Sequence, residues 1–237
     1  MTEPATDFPY RTALIVGAGA GISASLARRL STLGVRVGLA ARNIDKLQPL
    51  LSQAEAIAFA ADARDPGAVA TLFDDANRQL GGIDVVVYNA GARVHGPLAE
   101  LDPASVADAL GVNAFGAFLV TQQAAKHMEP RGRGAILLTG ATASIKGFAN
   151  SSAFAMGKFA LRGLAQSAAR ELGPKGIHVA HFIIDGGVRS AQRQQHSDQP
   201  DSMLDPDAIA QTYVDVLRQH RSAWSFEVEV RPWLERF

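Results

Sequence analysis

The 237-residue sequence predicts one α/β domain built on a doubly wound parallel sheet of about seven strands with helices on both faces. Apolar, β-branched runs of strand length alternate with helical patterns along the chain. The continuous apolar run 83–88 is typical of a strand buried on both faces of a parallel sheet. No linker or internal repeat divides the sequence, so a single domain spanning 1–237 is expected.

The strands and helices can be assigned in chain order. The predicted strands cover 12–16, 35–41, 56–61, 83–88, 135–139, 177–184 and 226–230. The first helix has Ile22, Leu26 and Leu30 at helical spacing, and Gly34 ends it. Three Asp-Pro pairs, at 65–66, 102–103 and 205–206, place a capping aspartate before a proline at a helix start. A long helix begins near Ser151 and ends at Gly173.

Two segments near the C-terminus are less regular. Residues 190–204 contain four glutamines and few apolar side chains, and loops of this length usually serve function, so we expect them to shape a substrate pocket. Residues 223–237 predict the last strand and an aromatic tail. Trp233 and Phe237 in that tail are expected to pack on the core, or else to cover a partner subunit or the site.

Composition excludes several classes of function. The sequence has no cysteine, which removes disulfides, thiolate metal sites and cysteine nucleophiles. Basic and acidic residues both number 23, and this balance argues against nucleic-acid or membrane-surface binding. Neither a signal peptide nor a transmembrane helix is predicted, and a cytoplasmic protein is expected. His127, His178 and His181 lack metal-ligand spacing, so no metal is predicted.

A glycine-rich turn follows the first predicted strand. Gly17, Gly19 and Gly21 precede Ile22, where the first helix opens. Glycines at such a turn let the backbone approach a pyrophosphate, and the helix N-terminus offers free N–H groups and the positive end of its dipole. The alternative interpretation is a tight strand-to-helix connection that binds no nucleotide.

The end of the second predicted strand bears on the choice of nucleotide. NAD-binding folds usually place an acidic residue near this point to hold the ribose 2′-hydroxyl. Here Ala41 and Arg42 occupy it, and a cation suits the 2′-phosphate of NADP. The sequence therefore favours NADP(H) over NAD(H), with a solvated surface arginine as the alternative.

Ordered motifs over nearly the whole chain make the sequence resemble the short-chain dehydrogenase/reductase family. Besides the glycine turn, the motifs are Asp62, Tyr88-Asn89-Ala90-Gly91, Asn113 in the next helix, Phe154-Ala155-Met156-Gly157-Lys158, and 185–190 in place of the family's Pro-Gly turn. The resemblance implies a Rossmann-type fold and hydride transfer between a nicotinamide cofactor and a small-molecule substrate.

The resemblance also implies which residues contact the cofactor. They are Gly17, Gly19, Gly21 and Ile22 at the pyrophosphate, Arg42 at the adenosine ribose, Asp62 and Ala63 at the adenine, Asn89, Ala90 and Gly91 after the fourth strand, Lys158 at the nicotinamide ribose, Gly186 in the turn, and Val188 and Ser190 at the carboxamide.

The family's catalytic residues are Asn, Ser, Tyr and Lys, and this sequence keeps two of them. Asn113 and Lys158 are present. Phe154, four residues before Lys158, stands at the position of the general acid/base tyrosine and has no proton to give. Ala141 stands at the position of the serine, although a shift of one residue would put Thr142 in that role.

Three interpretations of this atypical site remain open. The first is a reductase with a substitute proton donor, for which His95, Thr142, Ser144, Ser151 and Ser152 are candidates. Lys158 could also donate if its pKa were depressed, although its expected role is ribose binding. The second is reduction of an activated alkene, whose carbon can take its proton from water. The third is a catalytically silent NADP(H)-binding protein that acts as a sensor or an oligomeric partner. We favour an enzyme.

The long helix from Phe154 to Leu172 has small and apolar residues on more than one face. In the family, that helix and the one carrying Asn113 pack against a symmetry mate. The resemblance therefore implies a homodimer or homotetramer.

Overall fold

The computed structural model describes residues 8–191, 193–195 and 198–235, which form one seven-stranded parallel sheet. The strands are β1 (Thr12–Val16), β2 (Arg36–Ala41), β3 (Ile57–Ala60), β4 (Val85–Tyr88), β5 (Gly134–Thr139), β6 (Ile177–Ile184) and β7 (Glu227–Val230). Their spatial order is β3-β2-β1-β4-β5-β6-β7, so the winding reverses between β1 and β4. The predicted doubly wound sheet is confirmed.

Helices cover both faces of the sheet. They are α1 (Ile22–Thr32), α2 (Gln48–Ala54), α3 (Pro66–Leu80), α4 (Pro103–Leu110), α5 (Ala117–Met128), α6 (Ser152–Leu172) and α7 (Pro206–Leu217). Leu26 of α1 and Tyr213 of α7 belong to the core on one face, and Leu72 of α3, Val120 of α5 and Leu161 of α6 belong to the core on the other. Strands β1, β4, β5 and β6 are therefore buried along their whole length, and the inner strand β2 reaches solvent only at its two ends.

The predicted helix boundaries agree with the structure. The side chains of Asp65, Asp102 and Asp205 accept hydrogen bonds from the first-turn N–H groups of α3, α4 and α7 at 2.8–2.9 Å. Strands 12–16 and 177–184 match, whereas the other strand ends shift by one or two residues. β4 starts at Val85 because the Asp84 N–H donates to the Thr12 hydroxyl (2.9 Å).

One helical segment differs from the prediction. Asn113 was expected within a regular helix, but Gly111–Gly116 forms a π-helical turn between α4 and α5. Such a turn carries an extra residue, which periodicity does not reveal, and it often marks functional sites. Gly116 packs so closely that a Cβ there would lie 2.6 Å from the Tyr88 hydroxyl.

The C-terminal third contains the irregular segments. Val188 forms an isolated parallel bridge with Leu204, and the described residues between them form no helix or strand. Positions 192, 196 and 197 lie outside the described residues, as does Phe237. Trp233 is 77% exposed, so the expected packing on the core was wrong for this side chain.

The helical stretch Pro103–Arg131 is long and apolar enough to cross a membrane by length and composition. A core helix of a folded α/β domain passes the same test. Leu119, Val120, Ala124 and Met128 of this stretch are buried against the domain. The expectation of no transmembrane helix stays a prediction.

Candidate active site

A groove of about 490 Å³ runs along the carboxyl ends of β1, β2 and β4, at the point where the winding reverses. Open α/β sheets bind their ligands in this crevice. The glycine turn forms one wall of the groove, and the segments after β2, β3 and β4 form the rest. Eight of the predicted cofactor-binding residues line the groove: Gly17, Gly19, Arg42, Asp62, Ala63, Asn89, Ala90 and Gly91.

The glycine turn fits a pyrophosphate. Gly17 has φ +83°, and a Cβ there would lie 2.2 Å from the Ala90 nitrogen, so no larger residue fits. A Cβ on Gly19 or Gly21 would meet no described atom within 4 Å, which leaves room for a ligand beside the backbone. Among the described residues no side chain caps α1 at Gly21, and its first turn contains no acid.

Ser23 connects this turn to the end of β4. Its hydroxyl donates to the Gly17 carbonyl (3.3 Å) and accepts a hydrogen bond from the Asn89 side-chain amide (2.8 Å). The two walls of the groove are therefore held together by a buried serine, which the sequence shows at the position of the family's third glycine but whose bridging role was not predicted. Its position directly after the glycine turn was the available signal.

Basic side chains lie at the end of the groove beside β2. Arg42 is exposed there, and Asn43 and Lys46 line the same end. Lys46 was not predicted as a site residue, although its spacing of four residues from Arg42 is visible in the sequence. Asp62 also lines this end of the groove, and its carboxylate accepts a hydrogen bond from Arg64 Nη2 (2.8 Å). The hydrogen bonds from Arg64 hold the pKa of Asp62 below its usual value.

Asn113 and Lys158 meet near the end of β4. The Asn113 side-chain amide donates to the Ala92 carbonyl (2.7 Å), and its oxygen accepts from the Ala92 N–H (3.2 Å). The Lys158 ammonium donates to the Thr139 carbonyl (2.8 Å). A Cβ on Gly91 would lie 3.5 Å from Asn113 Oδ1 and 3.9 Å from Lys158 Nζ, so both line one spot. Burial, with a contribution from Arg93, lowers the pKa of Lys158 to about 8.

Phe154 lies one turn before Lys158 on α6. The guanidinium carbon of Arg93 sits 4.4 Å from the centroid of the Phe154 ring, and Lys158 Nζ lies 5.7 Å from the same centroid. This is the geometry of a cation–π contact. Arg93 was missed in the sequence, where its place two residues after Asn89-Ala90-Gly91 was the signal.

Two of the four hydroxyl groups expected as substitute donors, those of Thr142 and Ser144, form hydrogen bonds within the protein. Thr142 donates to the carboxylate of Asp185. Ser144 is fully buried and accepts a hydrogen bond from the Ala141 N–H (3.1 Å). His95 is exposed in the loop after β4 and forms no hydrogen bond to any residue that the structure describes.

The residues expected at the nicotinamide amide lie in the loop after β6. Gly186 has φ +138°, and a Cβ there would lie 2.8 Å from Pro232. Beyond the Val188 bridge, Ser190 turns back on Arg193 and lines a smaller groove with Ala20 and Gly21. The structure therefore places Ser190 beside the N-terminus of α1, not in the groove with Arg42.

Comparison with known proteins identifies the family. The family model described as short chain dehydrogenase matches residues 11–201. The chain belongs to the short-chain dehydrogenase family. It is 31% identical over 194 residues to L-2,3-butanediol dehydrogenase of Corynebacterium glutamicum, covering 78% of this chain and 74% of that one. It is 35% identical over 177 residues to cis-4-hydroxycyclohexanecarboxylate dehydrogenase of Sinomonas cyclohexanicum, covering 73% and 71%.

Solved structures of short-chain dehydrogenases share the whole fold. A short-chain dehydrogenase from Rhodopseudomonas palustris is 35% identical, with a TM-score of 0.82 over 94% of this chain and 99% of that chain. A metagenomic short-chain oxidoreductase in complex with NADP is 29% identical, with a TM-score of 0.81 over 95% and 98%. The protein is thus an oxidoreductase-family member with the fold of an NADP-binding relative.

Proposed function

We propose that this short-chain dehydrogenase is an NADP(H)-dependent oxidoreductase with an atypical active site. The groove carries this proposal, because an open glycine turn lies at one wall and Arg42 and Lys46 lie at the adenosine end. Two cations there suit a 2′-phosphate, whereas the nearby Asp62 is already paired with Arg64. The metagenomic relative whose structure contains NADP supports the same choice.

The residues present fit such a cofactor along its length. In this proposal the backbone of the glycine turn and Ile22 hold the pyrophosphate, Asp62 and Ala63 flank the adenine, and Asn89, Ala90 and Gly91 border the middle. Lys158 holds the nicotinamide ribose, and Gly186 and Val188 face the carboxamide. The bound cofactor supplies hydride chemistry, and this chain's residues supply orientation and proton handling.

The proposal assigns Phe154 to the position of the family tyrosine and Ala141 to that of the serine. A phenyl ring has no proton to transfer, and the Thr142 hydroxyl is bonded to Asp185. Lys158 is the buried proton-bearing group at this spot whose pKa has moved toward neutrality. Asn113 is fixed on the Ala92 backbone and is positioned to order water beside Lys158. Candidate substrates are a small carbonyl or alcohol, or an activated alkene.

The same observations favour a second candidate, a silent NADP(H)-binding protein that acts as a sensor or an oligomeric partner. Arg93 covers the Phe154 ring, and Thr142 and Ser144 are engaged within the protein. Binding would then persist without turnover.

Oxidation of NADPH in the presence of carbonyl and enone substrates separates the two candidates. We expect slow turnover by the wild type. Phe154→Tyr should raise carbonyl reduction by about 10²–10⁴-fold, since a positioned acid contributes that much. Phe159→Tyr adds the same hydroxyl elsewhere on α6 and should change nothing. No turnover by either wild type or Phe154→Tyr, with NADPH bound to both, would refute the enzyme and support the silent binder.

The assembly is also a proposal. α5 and α6 expose Phe118 and Phe159, and a shallow groove of about 540 Å³ between them is lined by Phe118, Ala125 and Leu164. Apolar area of this kind usually marks a protein interface. We propose that a second copy covers this face, in a homodimer or homotetramer. The lack of nucleic-acid or membrane-surface partners is proposed from the balanced charge, and the cytoplasmic location stays a proposal.

A further inference from the structure

Arg93 presents unused hydrogen-bond donors at the nicotinamide end of the proposed site. Its guanidinium carbon lies over the Phe154 ring, 4.4 Å from the centroid. A guanidinium carries five N–H groups, so contact with one ring leaves donors available to a ligand. Arg93 is exposed, and within the described residues it makes no ion pair and no hydrogen bond. The Phe154 ring thus orients the Arg93 side chain, and no described carboxylate neutralises its charge.

Among the residues that the structure describes, no carboxylate pairs with either of the two cations around Phe154, Arg93 and Lys158. Lys158 Nζ lies 5.7 Å from the same ring, so two cations flank it. Asp185, on the loop after β6, accepts the Thr142 hydroxyl and lies 3.6 Å from Arg231. The positive charges of Arg93 and Lys158 repel each other, and a bound anionic ligand beside them would reduce this repulsion.

We propose that Arg93 binds a carboxylate group of the substrate, and that Phe154 is the positioning residue that orients its guanidinium. A planar guanidinium suits a carboxylate because two parallel N–H groups match its two oxygens. The inference rests on the proposed function and narrows it, since the substrate becomes a small molecule that carries a carboxylate.

Calorimetric titration with benzoate tests the proposal without requiring turnover. Benzamide, a neutral molecule of the same shape, is the control ligand. We expect the wild type to bind benzoate more tightly than benzamide. Arg93→Gln should weaken benzoate binding about tenfold or more, because the variant loses a charge-assisted hydrogen bond. Arg93→Lys, which keeps the positive charge, should restore part of the lost affinity. Phe154→Leu should weaken binding, and Phe154→Tyr, which keeps the ring, should retain it.

Arg218 offers a matched control, because its guanidinium lies 5.8 Å from the Phe8 ring at another cation–π contact. Arg218→Gln should bind benzoate as the wild type does. Equal affinity of the wild type for benzoate and benzamide, or an Arg93→Gln variant with unchanged benzoate affinity, would overturn the proposal. The titrations are run with and without NADP⁺, so that a failure to bind the cofactor is seen separately. The benzoate titration then tests the role of Arg93 whether or not the proposed function holds.

Discussion

Among single residues, Lys158 has an unusual environment for a lysine, because its ammonium is buried and its pKa is lowered. Its ammonium is buried, donates to the Thr139 carbonyl and lies near a second cation, Arg93. Burial disfavours the charged form, and the pKa falls from its ordinary 10.5 to about 8. A lysine that titrates near neutrality suits proton transfer as well as ribose binding.

The pKa of Lys158 predicts a pH dependence of stability. Between about pH 8 and 10.5, Lys158 carries a proton in the unfolded chain but not in the folded chain. The contribution of Lys158 to the free energy of unfolding therefore rises with pH in this range. From pH 7 to 10 the wild type should gain about 2 kcal/mol relative to Lys158→Met. Urea unfolding at both pH values measures this difference.

An exposed lysine provides the control for that measurement. Lys146→Met makes the same chemical change at an exposed position and is measured at both pH values beside Lys158→Met. A Lys158→Met difference that stays constant between the two pH values would contradict the lowered pKa of Lys158 in the folded protein.

Sequence reasoning at this scale succeeded where the chemistry is local. The capping aspartates act within one turn, so Asp65 and Asp102 were predictable. The spacing of Phe154 and Lys158 is likewise local. Arg93 and Lys46 were missed because their importance comes from contacts with the Phe154 ring and from a groove that forms when separate strands meet.

At the scale of elements, the π-helical turn and α6 together place Asn113. Gly157 of α6 packs directly against Asn113, and a Cβ there would lie 2.5 Å from the Asn113 Cβ. This close approach holds Asn113 beside Lys158. The sequence predicted both helices but not this contact, since a local widening of a helix leaves no periodic signal.

Two glycines of α6 give opposite predictions. Gly157→Ala should lower the free energy of unfolding by about 2 kcal/mol, because the new methyl group collides with Asn113. Gly163→Ala, at a site where a Cβ would meet no described atom within 4 Å, should raise it by up to about 1 kcal/mol through helix propensity. Thermal or urea unfolding compares them. A Gly157→Ala variant as stable as Gly163→Ala would contradict the packing.

At the scale of the whole molecule, the sheet order brings distant segments to one groove. The residues after β1, β2 and β4 meet because β1 lies between β2 and β4. Strand and helix alternation sufficed to predict this architecture. The path of the loop after β6 was not predictable, and Ser190 lies in a different groove from Arg42, beside Ala20 and Gly21.

The exposed face of α5 and α6 predicts assembly. Sedimentation at micromolar concentration should show a dimer or tetramer. Phe118→Glu should dissociate it, since a charge would be buried in an apolar interface. Leu98→Glu, a change at an exposed leucine outside this face, should leave the assembly intact. A wild type that sediments as a monomer would refute the proposal.

Titration of the protein with NADPH and with NADH, followed by nicotinamide fluorescence, is the first experiment for the proposed NADP(H) dependence. We predict that NADPH binds at least tenfold more tightly than NADH, because Arg42 and Lys46 pair with the 2′-phosphate. Arg42→Gln should reduce this preference while leaving the affinity for NADH unchanged. Equal affinity for both nucleotides would contradict the choice of NADP(H), and binding of neither would contradict the oxidoreductase itself.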